Sequence, residues 1–174
     1  RLNKDGWQEE DYLNLVPGDQ HLQPVLDAKG SPVIVRVDTR TTPLLARIWK
    51  LMVGRVNLIL LDTNVEGNSS EDRELTARLY GGDAKIRIRQ EIILGIGGAR
   101  ALKALNIYPG VMHLNEGHSS FAILEEIRRV MRYEDIPFHR ALRRVAAHTV
   151  FTTHTPVEAG HDRFHPDLVE EHLG

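Results

Sequence analysis

"GVMHLNEGHSSFAILEEIRRVM" (110–131) decides how the second half of this chain is read. A short apolar run ends in His113, Asn115, Glu116 and His118, and a helical pattern begins at once. A brief apolar run that hands directly to a helix is half of a parallel strand–helix–strand unit. Downstream, "HTVFTTHTPVEAGHDRF" (148–164) repeats the arrangement, with a run ending in Thr152, Thr153, His154 and Thr155. Ligands in open α/β sheets bind beyond the carboxyl ends of the strands. The two tips therefore predict one crevice faced by Glu116, His118, His154 and Thr155. Neutral imidazole, carboxylate and hydroxyl groups together suit the many hydroxyls of a sugar. A plainer reading stays open, in which Asn115 and Thr155 cap helices and His118 is a satisfied first-turn residue.

Outward from these tips, the chain changes character near residue 66. Before it, "PVIVRVD" (32–38), "ARIWKLMV" (46–53) and "RVNLILLD" (55–62) are rich in Val, Ile and Leu and read as strands. Gly54–Arg55 joins the second to the third as a tight hairpin. After it, "SSEDRELTARLY" opens on a Ser cap with acidic residues in its first turn. "DAKIRIRQEIILGIGGARALKALN" (83–106) is a long helical pattern, and "SSFAILEEIRRVM", "PFHRALRRVAAHT" and "PDLVEEHL" are further helices. The order β-α-α-β-α predicts an α/β fold with a parallel sheet covered by helices, preceded by a small antiparallel β segment. We read one partial domain, residues 1–66 mainly β and 67–174 α/β.

Three other features bear on chemistry. Gly95, Gly97 and Gly98 sit inside a helical pattern, not at a strand-to-helix turn, so close helix packing explains them better than a dinucleotide loop. Nine histidines raise the question of zinc, yet no HExxH pair occurs, and His161 and His165 of "HDRFH" lie in a loop-like segment before Pro166. No metal site is assigned. Asp83 either caps the helix it precedes or reaches into the crevice, and Arg87 is placed to pair with Glu91 one turn on.

The 174 residues are enough for one domain with a core, and a charge of −2 without a basic block argues against nucleic acid or an acidic membrane as partner. No apolar run is long enough for a transmembrane helix. Zero cysteines fit the cytoplasm. The opening "RLNKDGWQ" reads as the middle of a structured region, so a piece of a longer protein is expected.

"YGGDAKIRIRQEIILGIGGARAL", "HLNEGHSSF" and "VFTTHTPVEAGHDRF" resemble the bacterial and archaeal branch of the α-glucan (glycogen) phosphorylases. The resemblance runs from "DGWQEEDY" to the end of the chain. It implies part of the N-terminal half of a GT-B glycosyltransferase, whose two Rossmann-like domains face each other across a cleft. It further implies reversible phosphorolysis of terminal α-1,4-linked glucose to glucose 1-phosphate. The partners would be an α-1,4-glucan and inorganic phosphate, with an oligomer left open. The family's cofactor is pyridoxal 5′-phosphate, held on a lysine of the second domain. Lys4, Lys29, Lys50, Lys85 and Lys103 match no such motif, so this chain is expected to bind no cofactor and to be inactive alone. By resemblance, His154 matches the histidine that hydrogen-bonds the glucose hydroxymethyl group. Glu116 and His118 match the acid and histidine of an "NDTH"-type motif near the glucose. Asp83 falls near the loop that gates the site, which is shorter here. The rival readings are another GT-B enzyme, such as a sugar-nucleotide-dependent glycogen synthase, and a non-catalytic carbohydrate-binding domain.

Overall fold

A computed structural model of the chain describes residues 2–7, 21–77, 82–154, 156 and 162–174. Its first half is an antiparallel sheet of β1 (Gln23–Pro24), β2 (Ile34–Val37), β3 (Leu44–Val53) and β4 (Val56–Asp62). The ten-residue β3 is its spine. β2 and then β1 pair along one edge of it, and β4 covers the other from Arg47↔Asp62 to Val53↔Val56. Gly54, with φ +60°, takes the first position of the two-residue hairpin expected there. Period-two patterning gives this sheet one apolar face. Val35 and Val37 of β2 and Leu44, Ala46 and Ile48 of β3 are buried.

That face is covered by the long helical pattern, which folds as α2 (Ala84–Ile92), a π-turn (Ile93–Gly97) and α3 (Gly98–Ala104). Ile88, Ile92, Ile93, Ile96 and Ala101 join the strand residues in one core. The sequence pattern does not mark the π-turn. Gly95 explains what it accommodates: a Cβ there would lie 2.7 Å from the Ala122 backbone nitrogen and 2.9 Å from Phe121 Cβ. The expected close helix packing is therefore found at Gly95, whereas Gly98 has nothing within 4 Å of such a Cβ.

α1 is short (Ser70–Arg73), with Ser69 accepting a hydrogen bond from the Asp72 amide as its cap. β5 (Met112–Asn115) and β6 (Thr149–Thr152) form a parallel pair, Met112↔Thr149 through Asn115↔Thr152. The connection between them is α4 (Phe121–Glu134) and α5 (Phe138–Ala146), which pack through Ile127, Val130, Ala141 and Val145. Arg100 ties the halves together. Its guanidinium holds the buried Glu125 of α4 at 3.0 and 3.2 Å and donates to the Arg36 carbonyl of β2 at 2.6 Å. α6 (Pro166–Leu173) starts on a proline at its first turn, as expected. Among the described residues no helix is long and apolar enough to cross a membrane.

Candidate functional site

The parallel register puts the tips of β5 and β6 side by side, as the sequence predicts. The ladder continues one step past both strands, where the Glu116 amide donates to the Thr152 carbonyl at 2.9 Å. The chain then turns sharply, because Glu116 has φ +60° and ψ −172°, a backbone region that is almost exclusively glycine's. This turn buries the Glu116 carboxylate, leaving the residue 4% exposed. Its Oε1 accepts a hydrogen bond from the His154 amide at 2.8 Å and lies 3.3 Å from His154 Nδ1. The His154 side chain stays 61% exposed. One carboxylate thus fixes the main chain of the second tip from the first and leaves the imidazole open to a ligand. Across the strands, His113 Nε2 and Thr152 Oγ1 are 2.6 Å apart.

His118, in the short turn Gly117–Ser119, is drawn into a second cluster. Its Nδ1 lies 3.4 Å from Arg87 Nη2 and 3.6 Å from both Glu91 Oε1 and Asp162 Oδ2. Arg87 also donates to Gln90 Oε1 at 3.1 Å and to Asp162. Arg87 therefore forms an ion pair with Asp162, a partner that helical spacing does not pick. Burial, then a hydrogen bond and charge repulsion from Asp162, push the Glu91 carboxyl up to about 8. Burial acts the same way on Asp162. There the hydrogen bonds from Arg87 and Glu91, with the charge of Arg87, prevail and hold it below the usual carboxylate range. Glu91, His118 and Asp162 offer three donor atoms within 4.8 Å of one another, but the Arg87 guanidinium already supplies the positive charge among them.

The other sequence candidates divide. Asp83 caps α2, its Oδ1 accepting from the Lys85 and Ile86 amides at 3.0 Å each. The turn after β5 is entered by Glu116, without a side-chain capping bond, so Asn115 is not its cap. Thr155 and His161 lie outside the described residues. His165 caps α6, with Nδ1 accepting from the Asp167 amide. Sequence reasoning missed Asp162, and it missed Glu91 as a member of the site. The available signal was a charged pair, Arg87 and Glu91, on a helix whose neighbouring Ile88 and Ile92 are core residues.

No protein-family model matches the chain. Over 99% of its length it is 46% identical to a glycogen phosphorylase of Mycobacterium tuberculosis (strain ATCC 25618 / H37Rv) and 44% identical to a maltodextrin phosphorylase of Thermococcus litoralis. Over 98% it is 35% identical to a glycogen phosphorylase of Aquifex aeolicus. The chain spans 21% of the first two relatives and 25% of the third. These comparisons bear out the resemblance read from "NEGH" and "TTHTPVEAGHD".

Proposed function

We propose that this chain, homologous throughout to one segment of the glycogen and maltodextrin phosphorylases, supplies part of the glucose-binding side of an α-glucan phosphorylase. The intact enzyme would split terminal α-1,4-linked glucose from glycogen, starch or maltodextrin with phosphate, reversibly giving glucose 1-phosphate, in the cytoplasm. The observation that carries this reading is the Glu116–His154 pair, in which a buried carboxylate holds the backbone while the ring stays exposed. Such a ring, neutral, has one donor and one acceptor for a sugar hydroxyl. His154 aligns the glucose and transfers no proton. Glu116 acts through His154, and His118 extends the polar wall. We read β5, β6 and the α4–α5 crossover as part of a larger Rossmann-like sheet in the N-terminal half of a GT-B enzyme. The exposed Val150 and Phe151 of β6 support this, since a parallel sheet is normally covered on both faces.

Pyridoxal 5′-phosphate would need a lysine amine for its aldehyde and cations for its phosphate. The crevice residues do not fit it. They include no lysine, Arg87 is committed to Asp162, and Lys85 faces Glu171 of α6 at 3.9 Å. We place the cofactor on a part of the enzyme outside this chain. Bound there, it would supply an acid–base phosphate group.

The test is initial-rate phosphorolysis of maltodextrin by the full-length protein, with ADP-glucose as the competing substrate. Release of glucose 1-phosphate is expected, and glucosyl transfer from ADP-glucose alone would replace this reading with a synthase. His154→Ala should raise the barrier by about 2–4 kcal/mol, a rate loss on the order of 10²–10³-fold. Its melting temperature should stay unchanged, because the side chain is largely exposed. Near-normal turnover of this variant would remove His154 from the site.

A further inference from the structure

Two carboxyls, Glu91 and Asp162, share one guanidinium. Arg87 donates to Asp162. Glu91 is 5% exposed, and its Oε1 has no hydrogen-bond partner among the described residues. His118 does not supply the missing proton through Nδ1. Arginine can only donate, so the contact from Arg87 Nη2 makes His118 Nδ1 the acceptor and leaves it no hydrogen to give either carboxyl. The one fixed positive charge balances one carboxylate, and a proton on the other carboxyl removes an uncompensated buried charge. Glu91 is the more buried of the two side chains, 7% exposed against 24%.

We infer that Glu91 is a positioning residue: as the neutral acid it donates its proton to a hydrogen bond with Asp162, and this pair, with Arg87, fixes His118 at the tip of β5. Among the described residues, the charged or titratable groups facing Glu91 are Arg87 on its own helix, His118 after β5 and Asp162 ahead of α6. With Glu91 neutral, the charges of Arg87 and Asp162 balance each other. The upward displacement of the Glu91 carboxyl agrees with this. Loss of the proton would set two carboxylates against each other and release His118. The link to turnover rests on the glucan-phosphorylase reading, whereas the proton pair itself does not.

The sign of the pH effect follows. In the folded protein Glu91 keeps its proton up to about 8, and in the unfolded chain only up to 4.5. Its contribution to stability is complete below 4.5 and drains away as pH climbs to about 8. Glu91→Gln keeps a neutral hydrogen-bond donor and has no proton to lose.

Three measurements on the full-length protein test this. Infrared titration should show the carbonyl stretch of one protonated carboxyl vanishing near pH 8 in the wild type, with that signal missing from Glu91→Gln. Thermal unfolding across the same range should lose its alkaline slope in Glu91→Gln. Phosphorolysis by the wild type should fall several-fold above that pH, Glu91→Gln should not follow it, and Glu91→Ala should be impaired throughout. An identical carbonyl signal in Glu91→Gln, or none in the wild type, overturns the proton pair. The signal with superimposable pH–rate profiles for wild type and Glu91→Gln overturns the positioning role. A wild type without phosphorolysis overturns the functional reading, and the infrared and unfolding results still decide the pair.

Discussion

Glu116 carries two burdens at once, an unfavourable backbone and a buried charge. The strain costs on the order of 1–3 kcal/mol, and the charge-assisted hydrogen bond to the His154 amide offsets it. Substitution separates the two. Glu116→Ala loses the carboxylate and keeps the strain, so it should destabilise clearly in chemical unfolding. Glu116→Gly loses the same carboxylate but relieves the backbone, and should be more stable than the alanine variant by about 1 kcal/mol. Equal stability of the two would show that the positive φ carries no strain. The alternation of residue types in "NEGH" announces polar groups at a strand tip. It does not announce which of them turns the chain. Gly117 stands next door and is the residue type for a left-handed backbone, yet the structure puts the positive φ on Glu116. That choice is made by the tertiary bond to His154, 38 positions away, which no local pattern encodes.

The helix over residues 84–104 shows how an element can meet two surfaces with different demands. α2 turns Arg87 and Glu91 toward the strand tips, and α3 turns Arg100 toward Glu125 of α4. The π-turn between them adds one residue to the ladder, a rotation of about 100°, and allows both. Gly95 in the turn and Gly98 at the start of α3 should respond in opposite ways to the same substitution. Gly95→Ala pushes a methyl into the start of α4, against backbone that cannot retreat, and should destabilise by about 1–3 kcal/mol. Gly98→Ala adds a methyl to open space on a helical backbone and should stabilise by about 0.4–1 kcal/mol. Thermal unfolding of the two variants side by side checks this, and a shift of the same sign for both would refute the packing role of Gly95. The apolar periodicity gave away the helix and its buried face. The widened turn stayed hidden because the approach of α4 dictates it, and that contact is non-local.

At the scale of the molecule, α6 is docked by a histidine. His172 is 3% exposed, its carbonyl accepts from the Arg40 amide at 2.9 Å, and its Nε2 is buried without a partner among the described residues. Burial, helped by the charge of Arg89, lowers its affinity for a proton below the ordinary histidine value of 6.5. The unfolded chain then binds the proton that the folded one refuses. The stability His172 provides is present above 6.5 and is lost as pH falls through the folded value. His172→Leu should flatten that acid limb in melting temperature against pH, and an unchanged limb would place the titration elsewhere. Strands β2, β3 and β4, the hairpin at Gly54, the parallel pair and the helices, with α2 and α3 read as one, were legible, since each rests on local periodicity or a turn residue. Asp162 and His172 were not, since their roles arise only where α6 and the segment leading into it meet α2 and the β2–β3 turn. The β5–β6 register also dictates an order in time. Met112 and Thr149 stand about 37 residues apart in the chain, and closing that span early pays loop entropy for only four residue pairs. α4 and α5 shorten the span as they form and pack, so the crevice is assembled after the helices that bridge it.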